Sequence, residues 1–234
     1  MAALLVVGLT AGPTVPSTGA ASAAGRTARR PEPPVLLDLP AQPRVLLVGD
    51  SYTEGWGADP TTRGFAYRIA EPLGWRLTRD GIGSTGYTNV GLKQQGTFAE
   101  RLWRHPADAY DLVVLQGGSN DERRSEAEIT EAVDLTIRTV HRRYPGAQLL
   151  VMGPIEPYGT VTARRAKVTR VLTASTAKSS LLLIDPTAEH WFVTGDSVTL
   201  VNPAKGHPNN AGYGRITWIF LRDVRALSVV RPGR

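Results

Sequence analysis

Ser51 lies in the run Val-Gly-Asp-Ser-Tyr-Thr-Glu-Gly, residues 48–55, directly after a short apolar segment. A serine hydroxyl at the end of a buried strand can act as a nucleophile once a nearby base removes its proton. A capped strand-to-helix turn explains the same residues equally well, and the letters Gly-Asp-Ser recur at residues 195–197. The tripeptide alone therefore does not establish a nucleophile.

Two further runs offer hydrogen-bond donors for a developing negative charge. Asn120 lies in Gly-Gly-Ser-Asn-Asp, residues 117–121, where its side-chain amide could form part of an oxyanion hole. An ordinary Asn/Asp turn is the alternative for this run. The glycine-rich run at residues 81–86 lets backbone N–H groups approach a ligand closely, and no Gly-Lys-Ser/Thr follows that would indicate a phosphate loop.

His207 stands in Gly-His-Pro-Asn-Asn, residues 206–210, ahead of the last predicted helix. The pKa of an imidazole lies near neutrality, which suits a general base that takes the Ser51 proton. Taken alone, His207 is better explained as a solvated loop residue. His207 indicates catalysis only in combination with the serine, the glycine-rich run and the asparagine.

Short β-branched or leucine-rich runs alternate with longer amphipathic segments, the pattern of a parallel sheet covered by helices. The predicted strands are Val45–Val48, Trp75–Thr78, Leu112–Leu115, Gln148–Met152 and Leu181–Ile184. The predicted helices are Phe65–Leu73, a stretch near Gly91–Arg104, Glu126–Arg143, Ala163–Ala177 and Ala211–Val224. The fold class is therefore α/β, a three-layer α/β/α sandwich with five parallel strands. In such sheets ligands bind at the carboxyl ends of the strands, where these runs lie.

From about Arg44 to Val224 the sequence resembles the SGNH hydrolases, also called GDSL-type lipases and esterases, and we interpret it as a secreted bacterial member. The resemblance implies a flavodoxin-like sheet order, Ser51 as nucleophile and His207 as base. It also implies an oxyanion hole formed by the N–H of Ser51, the N–H of residue 84 and the Asn120 amide. The family usually has glycine at the second of these positions, where this chain has Ser84, and Gly86 is the alternative.

The sequence departs from this family at Ala204, since members commonly carry Asp three residues before the histidine. A carboxylate there fixes the histidine tautomer and stabilises the imidazolium, and its loss costs roughly 10⁴ in turnover in serine proteases. A backbone carbonyl at or near Ala204 could accept the Nδ1 proton instead, and we favour this Ser51–His207 dyad. Asp196 or Asp185 could otherwise supply the carboxylate from another loop.

The predicted reaction is hydrolysis of short-chain acyl esters or acetylated carbohydrates through an acyl-enzyme on Ser51, with no metal and no organic cofactor. The partner is thus a small-molecule or polysaccharide ester. The alternative is an impaired or non-catalytic secreted protein that binds carbohydrate or lipid on the same fold, an idea motivated by Ala204.

Composition narrows the other function classes. The absence of cysteine excludes thiolate nucleophiles and cysteine-based zinc sites, and the four histidines lack metal-binding spacing. The net charge of +6 comes from arginine pairs scattered along the chain, which does not indicate a nucleic-acid-binding face. We expect a monomer without stable membrane insertion.

The amino-terminal part divides into two predicted segments. Residues 1–23 form an apolar run that leads into small residues, which predicts a signal peptide and an extracellular protein, although no basic residue precedes Arg26. Residues 24–43 are rich in Ala, Arg and Pro and predict a disordered linker. The hydrolase domain is assigned to residues 44–228.

Overall fold

The computed structural model describes residues 36–229. The predicted signal peptide and most of the predicted linker lie outside these residues, so both stay predictions. Among residues 36–229, no helix combines the length and the apolar character needed to cross a membrane.

Five parallel strands form the central sheet, which confirms the predicted fold class. They are β1 (Arg44–Gly49), β2 (Arg76–Gly81), β3 (Leu112–Gln116), β4 (Gln148–Met152) and β5 (Leu182–Ile184). Their order in the sheet is β2-β1-β3-β4-β5, the flavodoxin-like order that the resemblance implied. Strand β2 lies on one side of β1, and the chain then continues on the other side of β1 with β3. In sheets of this order the ligand crevice lies at this point, outside the carboxyl ends of the strands.

Seven α-helices, three 3-10 turns and a small antiparallel strand pair complete the described part of the chain. The helices are α1 (Ser51–Glu54), α2 (Ala70–Leu73), α3 (Phe98–Leu102), α4 (Glu126–Arg143), α5 (Ala163–Lys178), α6 (Ser197–Leu200) and α7 (Asn210–Leu227). The strand pair is β6 (Val201–Asn202) with β7 (His207–Pro208).

Alternation along β1 separates two hydrophobic clusters, one on each face of the sheet. Val45 and Leu47 belong to the cluster that includes residues of α7, whereas Leu46 and Val48 belong to the cluster beneath α3, α4 and α5. All four side chains are completely buried. Burying one such side chain contributes about 1.5–3 kcal/mol, so the central strand is held firmly from both sides.

Helix α4 forms as its sequence predicts. Ile129, Val133 and Val140 form a buried stripe, and a capping box between Ser125 and Glu128 fixes the start of the helix. Local signals were sufficient here, because both the stripe and the cap lie within one continuous segment.

Two predicted helices are shorter than expected. The segment Phe65–Leu73 splits into a 3-10 turn, Phe65–Tyr67, and the short α2. Of Gly91–Arg104, only α3 is helical, because Gly91 and Gly96 adopt positive φ angles of 82° and 91° that an α-helix does not allow.

The folded domain begins before the predicted boundary at Arg44. Leu37 is 1% exposed within the core, donates its N–H to Leu227 O and accepts the N–H of Val229. The end of the predicted linker 24–43 is therefore part of the fold, because Leu37 pairs with the chain just after α7. The mostly apolar run at residues 35–39, which lies between prolines, is too short to give a periodic signal in the sequence.

Candidate active site

Ser51 is the first residue of α1, at the carboxyl end of β1. Asp50 caps this helix, since its carboxylate accepts the N–H of Tyr52 at 2.9 Å, and the helix ends at Gly55 with a left-handed φ of 88°. The turn leaves Ser51 half-buried beside the crevice. It is a sharp turn from a buried strand into one helical turn, and it presents both the hydroxyl and the N–H of Ser51.

His207 approaches Ser51 from the loop before α7. Its Nε2 lies 2.7 Å from Ser51 Oγ, across 156 residues of sequence. The short pair β6–β7 fixes the backbone of His207, and Asn209 caps α7 directly afterwards by accepting the N–H groups of Ala211 and Gly212. These anchors bring together the serine and the histidine that the sequence singled out.

Gly57 allows this close approach, and sequence reasoning did not identify it. A Cβ at this position would lie 2.8 Å from His207 Cβ and 2.5 Å from Pro208 O, and φ is 103°. Strand β6 is bound to the same glycine, because the Asn202 side chain donates to Gly57 O at 3.1 Å. The run Gly-Trp-Gly at residues 55–57 was the available signal.

The second ring nitrogen of His207 faces a backbone carbonyl. Nδ1 lies 2.8 Å from the oxygen of Lys205, next to Ala204. A carbonyl only accepts hydrogen bonds, so Nδ1 carries the proton and Nε2 is left to accept from Ser51 Oγ. This arrangement has the form of the predicted dyad, with the acceptor one residue beyond Ala204.

Neither alternative carboxylate reaches His207. Asp196 accepts the N–H of Val193 at 2.8 Å and pairs with Arg215. Asp185 caps its own turn by accepting the N–H and hydroxyl of Thr187. In the described part of the chain both carboxylates are engaged in local hydrogen bonds, and the partner of His207 Nδ1 is the carbonyl of Lys205.

Burial lowers the pKa of His207 below its ordinary value. The hydrogen bond to the Lys205 carbonyl and the negative charge of Glu54 act in the opposite direction but do not cancel the effect. A lowered pKa keeps the imidazole neutral at neutral pH. His207 is thus in the protonation state that a general base needs.

The oxyanion-hole candidates line the same pocket as the nucleophile and the base. Ser84 sits in a left-handed turn with φ of 62°, and Ser84 and Asn120 both line the pocket that contains Ser51 and His207. Among the hydrogen bonds of residues 36–229, none uses the N–H of Ser51 or of Ser84. Both donors are therefore available to a ligand.

The Asn120 amide has one hydrogen committed and one available. Its Nδ2 donates to the carbonyl of Thr85 at 2.8 Å, which orients the amide beside Ser84. A primary amide has two N–H donors, so one remains for a ligand in the pocket.

Gly86, the alternative to Ser84, does not lie in the pocket lining. Its N–H donates to Asn89 O at 2.9 Å, and a Cβ there would meet the Asp121 carboxylate within 2.8 Å. Asp121 in turn accepts the N–H groups of Tyr87 and Thr88, which ties the glycine-rich loop to the loop of Asn120. Gly86 serves this packing, and Ser84 is left as the residue that faces the site.

The pocket around Ser51 has a volume of about 850 Å³. Trp56 and Tyr158, 42% and 47% exposed, lie on its wall. The charged residues of the lining are balanced, with Lys93 and Arg165 opposed by Glu54 and Glu156. Lys205 also places its ammonium 4.6 Å from the centre of the Trp56 ring. Nucleophile, base and three N–H donors thus face one open cavity, an arrangement that can carry out acyl transfer.

Comparisons with known proteins agree with this geometry. Residues 47–215 match the model of the GDSL-like Lipase/Acylhydrolase family. A GDSL lipase of Mycobacterium tuberculosis is 30% identical over 189 residues, which cover 77% of this chain and 80% of the relative.

Solved structures share the fold at lower identity. An aryl esterase of M. smegmatis is 19% identical with a TM-score of 0.59, and the match covers 79% of this chain and 99% of the esterase. A carbohydrate acetylesterase from Sinorhizobium meliloti is 17% identical with a TM-score of 0.60, with the same coverage of 79% and 99%.

Proposed function

The chain belongs to the GDSL-like lipase/acylhydrolase family and is a carboxylic ester hydrolase, and from this premise we propose that it works through a Ser51–His207 dyad on short acyl esters. The observation that carries the proposal is the distance of 2.7 Å between Ser51 Oγ and His207 Nε2. A neutral imidazole at this distance is a competent base for the serine hydroxyl.

In the first step His207 takes the Ser51 proton while Oγ attacks the ester carbonyl carbon. The negative charge on the carbonyl oxygen is held by the N–H groups of Ser51 and Ser84 and by the Asn120 amide. The tetrahedral intermediate collapses, the bond to the alcohol breaks, and His207 returns its proton to the departing alcohol. Ser51 is then acylated.

In the second step water attacks the acyl-enzyme with His207 again as the base. The new intermediate expels Ser51 Oγ, which regains its proton from His207, and the carboxylic acid leaves. The Lys205 carbonyl holds Nδ1–H through both steps, so the imidazole keeps its orientation without a carboxylate.

For the substrate we propose a short acyl group, acetyl included, on an alcohol as large as a sugar. An open cavity of about 850 Å³ exceeds what a short acyl group fills, which leaves room for the alcohol. The exposed rings of Trp56 and Tyr158 offer flat apolar faces that suit the C–H face of a pyranose. The similarity in fold to a carbohydrate acetylesterase supports this choice.

The non-catalytic alternative rests on the absence of a carboxylate at Ala204. The Lys205 carbonyl weakens this argument, because it lies within hydrogen-bond distance of His207 Nδ1. The catalytic hypothesis predicts ester turnover, and the non-catalytic alternative predicts none. The test is hydrolysis of p-nitrophenyl acetate and of acetylated xylan by the full chain and by Ser51→Ala and His207→Ala.

Ser197→Ala is the matched control, because Ser197 stands in the second Gly-Asp-Ser run, outside the pocket. We expect both pocket variants to lose at least about 10³-fold in kcat and the control to match the wild type. Equal rates for all four proteins would overturn the proposal.

A further inference from the structure

Arg101 is a completely buried cation on α3, with 0% exposure. Charged side chains are almost never buried to this extent unless they are fully paired. No step of the proposed reaction uses Arg101, and it does not line the pocket. Its burial therefore needs another explanation.

The guanidinium of Arg101 binds three separate segments of the chain at the carboxyl edge of the sheet, two through backbone carbonyls and one through a side-chain hydroxyl. Nη1 donates to the carbonyl of Gly49 at 3.1 Å and to Thr85 Oγ1 at 2.6 Å. Nη2 donates to the carbonyl of Asp80 and, at 2.7 Å, to its carboxylate. One side chain thus joins the ends of β1 and β2 to the glycine-rich loop.

Asp80 balances the buried charge. Burial raises the pKa of Asp80, but hydrogen bonds from His105 and Arg101 outweigh this effect and hold the pKa below its ordinary value. The carboxylate is therefore ionised, and the buried arginine has a counter-ion.

Two of the three segments that Arg101 holds lead directly to donors of the oxyanion hole. Gly49 lies two residues before Ser51, and Thr85 directly follows Ser84. The Thr85 carbonyl also accepts the hydrogen bond that orients the Asn120 amide. Through Gly49 and Thr85, the planar guanidinium is thus connected to all three oxyanion-hole donors.

We propose that Arg101 is a positioning residue that sets the spacing of the oxyanion-hole donors, an inference that rests on the proposed function. The guanidinium acts through Gly49 and Thr85 and does not touch the substrate. Donors must already be in place when charge develops, and misplacement by about 1 Å can cost about 10²-fold in rate.

Lysine cannot replace arginine in this role. Its ammonium is a compact charge with three donors, whereas the guanidinium presents five donors in a fixed plane. Arg101→Lys keeps the charge opposite Asp80 but cannot reach the acceptors of all three segments at once.

The decisive variants are Arg101→Lys and Thr85→Val, with Thr85→Ser as the conservative rescue. Thr85→Val removes the hydroxyl that accepts from Arg101 and also donates to the Ile82 carbonyl, and it leaves the guanidinium in place. An unchanged kcat in this variant therefore overturns the proposal even if Arg101→Lys does not fold. Rates are expressed per active site, counted by complete labelling with a fluorophosphonate, so that unfolded protein does not contribute.

We expect kcat per labelled site to fall 10- to 100-fold in Arg101→Lys and Thr85→Val, with KM within threefold of the wild type. Thr85→Ser should retain kcat within threefold. Arg143→Lys is the matched control, since Arg143 donates to the carbonyls of Leu102 and His105 away from the pocket, and it should leave kcat per site unchanged.

If kcat per site in Thr85→Val stays within threefold of the wild type, or falls no further than in Arg143→Lys, Arg101 only stabilises the fold and the proposal is overturned. This outcome is distinct from failure of the proposed function, which would appear as full activity in Ser51→Ala. The two tests therefore fail independently.

Discussion

His207 Nδ1 lies 2.8 Å from the carbonyl oxygen of Lys205, only two residues earlier in the chain. A local backbone carbonyl thus occupies the position in which a serine protease has a buried carboxylate. A carbonyl fixes the tautomer as well as a carboxylate does, but it provides no full negative charge for the imidazolium. In a triad one carboxylate both orients the histidine and stabilises its charge, whereas the Lys205 carbonyl supplies the orientation without a full charge.

Introducing the missing carboxylate should move the pH dependence of activity. In Ala204→Asp, the negative charge favours protonated His207 and raises its pKa, so the acid limb of kcat/KM should shift to higher pH by about 0.5–1 unit. The direction follows because only the neutral imidazole is a base. Profiles measured from pH 4 to pH 9 check this, with Ala204→Asn as the uncharged control, and superimposable profiles for Ala204→Asp and the wild type would contradict it.

Asn120 is expected to matter for turnover more than for substrate binding. Asn120→Ala removes the free N–H donor, and kcat should fall by about 10²–10³ while KM changes little. Asn89→Ala is a suitable control, because Asn89 lies near the glycine-rich loop but outside the pocket lining. A loss confined to KM in Asn120→Ala would show that the amide binds substrate and not the oxyanion.

The buried carboxyl group beside the nucleophile should weaken the fold at higher pH. Burial raises the pKa of Asp50 to about 7, although the hydrogen bond from Tyr52 N–H acts against this, and its Oδ2 has no hydrogen-bond partner within residues 36–229. Because the folded state holds this proton more tightly than the unfolded state, the free energy of unfolding falls as pH rises from about 4 to about 7.

Asp50→Asn should remove this dependence. The amide oxygen can still accept the N–H of Tyr52, so the helix cap is kept. The stability gained by the variant should therefore grow between pH 4 and pH 7.5, with an upper bound of about 4 kcal/mol from the difference between the two pKa values. Urea unfolding at both pH values measures the gain, and a pH-independent difference between variant and wild type would contradict the expectation.

The start of the folded domain can be tested with two neighbouring leucines. Leu37→Ala should lower the free energy of unfolding by about 2–4 kcal/mol, because a fully buried leucine leaves a cavity. Leu36, which is 37% exposed, should cost less than about 1 kcal/mol when changed to alanine. Equal, small effects for both variants would mean that residues before Arg44 contribute nothing to the fold.

The sequence was informative wherever the signal was local. The sheet and α4 were predictable because apolar spacing and caps lie within short windows. The resemblance to the SGNH hydrolases singled out Ser51, Asn120 and His207, and the fold brings all three to one pocket. The glycines at 91 and 96 shortened α3, since a helical prediction there averaged over residues whose φ angles break the helix.

Other parts of the site could not have been predicted from residue types. The acceptor for His207 is a backbone carbonyl, which every residue possesses, so the residue type at position 205 does not reveal this role. Arg101 resembles any helical surface arginine until the fold brings Gly49, Asp80 and Thr85 around it. Gly57 acquires its role only when His207 arrives from 150 positions later in the chain.

Site-resolved labelling with a fluorophosphonate tests the central claim most directly. The reagent forms a phosphorus–oxygen bond with an activated serine as fluoride leaves, and mass spectrometry of peptides identifies the modified residue. The account predicts one label per chain, on Ser51 and not on Ser197, with labelling strongly slowed in His207→Ala. Label on Ser197, no label at all, or an unchanged rate in His207→Ala would contradict the assignment of Ser51 as a nucleophile activated by His207.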